Sequence, residues 1–459
     1  VNERYFAVVA AIVLACSLVG AVVSATDESQ QDESVADWSA DVPDVHDVAE
    51  PPDDGVATLG DREFDSVQAA VDAAGPGDTI VLEGRFDERV TVDTPGVTLE
   101  ALERDGAVID GGEGGTVVEI VADDVTLEGV WIRNSGYDKN VDDSGVFVNG
   151  SNATLSALRV TDVAFGVWIG SVDGATVEDT IIAGREDVPT AQRGNGIHLW
   201  ETTDAELTNN SITIVRDGIY YQWAEGVVAE GNTMWNMRYG VHYMYSNDNR
   251  LENNVAFDND VGFALMVSSE LTMRDNVAVN NDGTSGHGIL LKDVEDSEIV
   301  GNELVGNDNG LFVYNALGNR LVDNLLLEND VGVHTTAGSS NELVAGNSFI
   351  RNGEAAFAET NSQLNWNGSE RGNYWAEART VDVDSDGIGD TRYRPAGTVE
   401  RLVHERPQAA AFAESPAFDA VRMAESSFPV LESPGIVDQR PLADPPHDNW
   451  RDYYADHDH

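Results

Sequence analysis

Cysteine is nearly missing from this 459-residue chain: the single one, Cys16, sits in an apolar run close to the first residue. Disulfide bonds, a thiolate nucleophile and cysteine-ligated metal are therefore excluded from everything beyond that run. Any soft-metal site has to use Met and His. Basic charge is scarce as well. Lys plus Arg number 26 against 82 Asp plus Glu, for a formal charge of −56, and Lys139 and Lys292 are the only lysines. A phosphate backbone needs a basic footprint, so no nucleic acid is expected as a partner. The acids are spread along the whole length, as suits a chain kept hydrated in concentrated salt. Such a surface attracts a cationic ligand or a metal ion, with salt screening the long-range part.

Long apolar runs are limited to one. It covers 19 residues, Tyr5 to Val23, after the charged Asn2-Glu3-Arg4, and leads through Val23-Ser24-Ala25 into acidic chain. Small residues at the −3 and −1 positions mark a secretory signal cleaved after Ala25. The run is also long enough to stay as a bilayer anchor. Apolar residues continue past Cys16, whereas a lipid-attachment cysteine closes its run. Either outcome exports the bulk of the chain, to a periplasm-like space or the outer face of the membrane. Residues 26–63, acidic and dotted with proline, read as a loosely held linker that includes a solvated His46.

From Phe64 to Ala74 apolar residues recur three and four apart, then stop at Gly75-Pro76-Gly77-Asp78. That pattern predicts a short amphipathic helix, with the strand Thr79-Ile-Val-Leu-Glu behind it. From about residue 90 onward, short β-branched runs are separated by Gly, Asn and Asp. Gly196, Gly218, Gly240, Gly262, Gly288, Gly310 and Gly332 recur every 22 residues, with one four-residue insertion at Asp282-Gly-Thr-Ser. Asn210, Asn232, Asn254, Asn276, Asn302 and Asn324 each follow their glycine by 14 residues, and Asn347 follows Gly332 by 15. Each unit carries two or three strand-like runs and no helix-length apolar face. Such units stack coil on coil around one continuous core. An Asn repeated at a bend can hydrogen-bond to its equivalent in the next coil and satisfy the turn backbone.

The reading is all-β: a right-handed parallel β-helix over residues 64–378, an acidic Gly/Asp segment at 379–399, and a mixed C-terminal extension at 400–459. The helix at its start resembles the N-terminal cap of pectate-lyase-like solenoids, which covers a terminal coil that has no neighbour. The extension holds a helix near Ala417-Phe-Asp-Ala-Val-Arg-Met-Ala-Glu and a polar tail ending Asp456-His-Asp-His459.

Period-2 alternation sends positions one and three after each glycine inward, as in Ile219/Tyr221 and Val241/Tyr243. Positions two and four then face out: His198/Trp200, Tyr220/Gln222, His242/Met244, Ala264/Met266, Leu290/Lys292, Phe312/Tyr314 and His334/Thr336. An exposed strip this rich in aromatic, Met and His side chains marks a binding surface. Thioether and imidazole are ligands for a soft metal ion. His242 and Met244 share one outward face, and Met266 stands one coil away from Met244, at about 4.8 Å. His198 is two coils from His242, about 9.6 Å away, too far to share one ion with it. His287 precedes its glycine, which leaves its direction open. Packing against a partner is the competing reading, because Met also serves adaptable interfaces.

Two other constellations stand apart from this strip. Asp382, Asp384 and Asp386, followed by Gly387 and Asp390, resemble the first half of a loop for structural Ca²⁺, without flanking helices or a Glu at position 12; an acidic turn is the other reading. Trp200, Tyr220, Tyr314, Glu201 and Asp217 could line a sugar groove, which makes a polysaccharide lyase or glycoside hydrolase the alternative class. A glycosidase needs two carboxyls about 5–9.5 Å apart. A lyase needs a base such as Arg216, Arg238 or Lys292, and no clustered Asp array accompanies these.

The strings Arg238-Tyr-Gly-Val-His-Tyr-Met-Tyr-Ser-Asn-Asp-Asn, Gly286-His-Gly-Ile-Leu-Leu-Lys-Asp, Asp384-Ser-Asp-Gly-Ile-Gly-Asp-Thr and Phe428-Pro-Val-Leu-Glu-Ser-Pro-Gly resemble the NosD family, over roughly residues 64–445. The resemblance implies an exported, non-catalytic maturation factor of nitrous oxide reductase that docks on an ABC transporter (NosF and NosY). It implies transfer of Cu⁺ from the lipoprotein NosL to the copper–sulfide centre of the reductase, with membrane association through these partners or the anchor. The first 63 residues depart from simpler members of the family.

Overall fold

The computed structural model of the chain describes residues 38–454, apart from residues 39, 46–47, 337, 361 and 379 and stretches at 396–398, 400–401, 403–407, 409–411, 413–414 and 428–434. The expected export segment, His46, the Phe428 string and the tail Asp456–His459 lie outside the described residues. Each coil makes three short strands, and each strand pairs in parallel with its equivalent one coil on. Asp217–Gln222 pairs with Tyr239–Met244, Val228–Glu230 with Arg250–Glu252, and Thr233–Trp235 with Val255–Phe257. The result is a right-handed parallel β-helix. Two of its faces join in a 26-stranded sheet, and the third is a separate 12-stranded sheet running from Val90–Val92 to Glu354–Ala358.

The glycine period has a steric cause. A Cβ on Gly218 would lie 2.4 Å from the carbonyl oxygen of Gly240, and one on Gly240 would lie 2.6 Å from that of Gly262. Adjacent coils meet backbone to backbone at this corner, closer than any side chain permits.

The asparagine column does what its spacing predicts. From Asn210 to Asn373 each Nδ2 donates to the Oδ1 of the next, at 2.8–3.0 Å. Each interior member also binds a backbone carbonyl and the N–H of its predecessor, as Asn254 does with Ala229 and Asn232. A second ladder, which the sequence reading missed, links Asn259, Asn281, Asn307, Asn329 and Asn352 at 3.0–3.1 Å. Its spacing is as regular as the first. Both ladders are buried, where unpaired amides would be costly.

The ends are closed differently. The helix Val67–Ala73 buries Val67, Ala70 and Val71, and its start is capped by Ser66 and by the Glu88 carboxylate, which accepts the Val67 N–H at 2.7 Å. Part of the expected linker is strand. Val56–Leu59 pairs antiparallel with Arg62–Phe64 and with Thr79–Phe86, because Ala57 has the first coil to cover. Further back, Trp38, Ala40, Val42 and Val45 pack on an outward apolar stripe that includes Trp235, Phe257 and Leu327, and Trp450, Tyr453 and Tyr454 pack on the same stripe. At the far end Trp375 stacks on Phe349 at 4.2 Å, and the buried Asp438 accepts its indole N–H at 2.9 Å. Pro416–Ser427 is a helix, as expected. Among the described residues no helix is long and apolar enough to cross a membrane.

Asn254→Ala removes the acceptor shared by the Asn232 backbone N–H and side-chain amide, and takes the side-chain donor from the Ala229 carbonyl inside the coil. The expected cost is about 3 kcal/mol or more, read as a lower unfolding midpoint in denaturant. A variant that unfolds with the parent would contradict the ladder's structural weight.

Candidate functional site

The glycine corner decides which side chains look outward. A Cβ on Gly218 would point at Met234 and Met237 in the core, and the next residue, Ile219, is wholly buried there as well. Two successive inward positions break the alternation. The residue before each glycine and the second and fourth after it therefore share the outer face of the 12-stranded sheet. His287, whose direction the sequence left open, belongs to that face: its ring lies flat on Phe312 at 4.6 Å.

The second position forms one continuous column in register: Trp168, His198, Tyr220, His242, Ala264, Leu290, Phe312 and His334. Trp168 stacks on His198 at 3.7 Å between ring centres, and Tyr220 separates His198 from His242, at 4.8 Å from each. The expectation of an exposed strip is corrected here. His198 and His242 are 6% and 8% exposed, because strand pairing lays each ring against its neighbours and Phe165 and Tyr239 close in from the flank. The surface that does lie open is the next row out. Trp223, Tyr245 and Val267, all in the left-handed region, stand exposed beside the half-buried Trp200, Met244 and Met266. The sequence reading passed over this row, although its 22-residue spacing was there to find.

His242 is held by charge. Its Nδ1 lies 3.1 Å from Asp217 Oδ2; a carboxylate only accepts, so Nδ1 carries the proton and donates it. Nε2 makes no hydrogen bond among the described residues. Asp217 is fully buried and is also bound by Arg238, whose Nε donates to Oδ1 at 2.8 Å. Burial pushes the Asp217 carboxyl up, but the hydrogen bonds from His242 and Arg238 outweigh it and hold the group below the usual carboxylate range. A carboxylate that fixes one imidazole nitrogen and leaves the other free is the arrangement found behind metal-ligating histidines.

Pairing between the coils of His242 and Ala264 extends to those two residues, and two places further along each strand stand Met244 and Met266. Met266 packs against Val261, Ala264 and Leu290. His287 begins the strand of the following coil, so imidazole and thioether groups occupy three successive coils. His198 lies apart, with Nδ1 3.1 Å from the Asn195 amide and Nε2 buried without a hydrogen-bond partner. Burial lowers its pKa to about 3, which Asp217 only partly opposes. Burial likewise lowers that of His287 to about 4, against the Gly286 backbone and Asp260.

The acidic loop brings carboxylate oxygens of Asp382, Asp384 and Asp386 within 4.8 Å of one another. Asp390 is not in this group; its Oδ2 is taken by the Val383 N–H at 2.7 Å. Asp382 in turn accepts the N–H groups of Ser385 at 2.7 Å and Gly387 at 2.9 Å, closing the turn on itself. Repulsion from Asp386 raises the Asp384 carboxyl. Of the sugar-groove candidates, Glu201, Tyr314 and Lys292 are exposed, while Asp217 is committed to Arg238 and His242.

The fold and this face together define a right-handed parallel β-helix with a soft-ligand strip on one outer sheet. Solved structures agree on the fold. The A-module of an Azotobacter vinelandii mannuronan C-5 epimerase superposes with a TM-score of 0.53 at 16% identity, over 66% of this chain and 94% of its own. The Dettilon tailspike protein does so at 0.50 and 16%, over 61% of each chain. Sequence goes further. A family profile described as periplasmic copper-binding protein (NosD) matches residues 178–379. Two proteins named probable ABC transporter binding protein NosD are similar over most of their length. The one from Pseudomonas aeruginosa is 36% identical, over 84% of this chain and 92% of its own. The one from Stutzerimonas stutzeri is 33% identical, over 78% and 85%. The chain belongs to the NosD family.

Both low histidine pKa values carry a sign. The folded rings stay neutral to about pH 4 or below, while an unfolded chain takes up those protons near 6.5. As pH falls through that window only the unfolded state gains protons, so stability is full above 6.5 and declines below it. The imidazole resonances of His198 and His287 should hold steady from about pH 8 to about pH 5. A midpoint near 6.5 for either ring would contradict its burial.

Proposed function

We propose that this protein is a non-catalytic accessory factor in the maturation of nitrous oxide reductase, and that it receives Cu⁺ and delivers it for the copper–sulfide centre. It works outside the cytoplasm with an ABC transporter of the NosF/NosY kind, taking copper from a NosL-like lipoprotein. The observation that carries the reading is His242. Its Nδ1 is pinned by Asp217, its Nε2 is free, and Met244 follows two residues on. With Met266 from the next coil these groups offer Cu⁺ the soft nitrogen and sulfur donors it favours. His198 and His287, neutral at working pH, extend the track along the face in either direction. The family's description as copper-binding and the relatives' names as transporter-binding proteins support the same role.

The hydrolase or lyase alternative loses support at Asp217. A buried carboxylate bound by an arginine and a histidine, and held below its usual range, is ill placed to donate a proton. The loop at Asp382, Asp384 and Asp386 is a separate matter: its converging oxygens suit a structural Ca²⁺, and its self-closing hydrogen bonds suit a plain acidic turn.

The test is an anaerobic Cu⁺ titration against a competing chelator. About one ion should bind tightly. Met244→Ala and Met266→Ala should each weaken it, and Asp217→Asn, which leaves the imidazole unfixed, should cost about 10–100-fold. Binding that is unchanged in all three variants would move the metal off this face.

A further inference from the structure

Basic side chains are few in this chain, and two of them sit together without a counter-charge. Arg216 and Arg238 hold the same place in adjacent coils, with the Arg238 N–H donating to the Arg216 carbonyl at 3.0 Å. Arg238 is neutralised by Asp217. Arg216 makes no ion pair and no side-chain hydrogen bond among the described residues. Its backbone N–H binds the Gly194 carbonyl at 2.8 Å, and the neighbouring carbonyl, that of Arg193, is bound by Lys139 Nζ at 3.4 Å. The Lys139 ammonium and the Arg216 backbone are thus held on the carbonyls of two successive residues, Arg193 and Gly194. Among the described residues Lys139 has no carboxylate partner either, and burial together with the Arg216 charge holds its ammonium below the usual range. The Arg193 guanidinium is spent on the carbonyls of Val188 at 2.7 Å and Glu186 at 3.3 Å.

Two half-buried cations anchored on neighbouring carbonyls cost free energy, and 82 acids were available to neutralise them. We propose that Lys139 and Arg216 bind a compact dianion, a tetrahedral oxyanion, at the edge of the aromatic and histidine strip and one residue from Asp217. A guanidinium fork and an ammonium match such a ligand in charge and in donor geometry. The phenol of Tyr220, half-exposed on the strand Asp217–Gln222 that follows Arg216 directly, offers a further donor. Compactness follows from the surroundings. Asp138 lies exposed beside Lys139, and Asp187 lies exposed in the loop whose Arg193 and Gly194 carbonyls hold both cations, so an extended acidic peptide would meet repulsion next to them. The site does not depend on copper and can fail or stand by itself.

Inorganic sulfate is the probe, titrated calorimetrically into the full chain at ionic strength held constant with chloride. One sulfate should bind, and Arg216→Gln and Lys139→Met should each weaken it by about tenfold or more. Without sulfate both variants should melt at or above the parent, since a repulsion has been removed. Added sulfate should raise the midpoint of the parent far more than that of the variants. Arg320→Gln, on an exposed arginine elsewhere, should change neither reading. The proposal is overturned by three results: no saturable sulfate binding, binding that survives both substitutions, or variants that melt well below the parent without the anion. Capture of an acidic peptide with no response to sulfate would overturn it in favour of a macromolecular partner.

Discussion

Adjacent coils of this protein touch backbone to backbone at the glycine corner, and most other features follow from that contact. Where Gly240 faces the Gly262 carbonyl there is no room for a Cβ, so the period of the sequence is the period of the stack. Strand pairing then sets the distance from coil to coil, about 4.8 Å, and equivalent side chains line up in columns. The asparagine ladders are one product of this alignment: amides spaced to bond to their own kind are satisfied in the interior without water. The outer column of rings is another.

The same corner builds the candidate site. By turning both the glycine and its successor inward, it brings the preceding residue onto the outer face with the second and fourth that follow. Asp217 can then reach His242 in the next coil, while Arg238, from that same coil, reaches back to Asp217. Two charges, Asp217 from one coil and Arg238 from the next, fix the orientation of one imidazole. The donors for a soft ion are therefore oriented by a rigid frame rather than by a loop, and they lie beside an exposed row of Trp223, Tyr245 and Val267. A protein that passes an ion on has to bind it and meet a partner on one surface, and in the proposed role the two would be neighbouring columns.

Much of this was legible in the sequence because a solenoid repeats its reasons. The glycines announced the coil, Asn210 to Asn347 announced a ladder, and His242, Met244 and Met266 announced a common face. What stayed hidden depended on local breaks in the pattern. Strict alternation does not show that His287 looks outward, since only the paired inward residues at the corner put it there. It does not show that His198 is buried, which follows from rings above and below it. Asp217 read as a groove carboxylate because its partners lie 21 and 25 residues away in sequence. The strands at Val56–Leu59 and Arg62–Phe64 were masked by the acidic, proline-dotted composition around them.

Copper K-edge X-ray absorption on the Cu⁺-loaded protein tests the central claim most directly. Beyond Cys16 the chain has no thiol, so sulfur around the metal can come only from methionine. Imidazole nitrogen together with thioether sulfur, and loss of the sulfur scatterers in the Met244→Ala/Met266→Ala double variant, is the predicted result. A shell of nitrogen and oxygen alone, or sulfur that persists in the double variant, would contradict it.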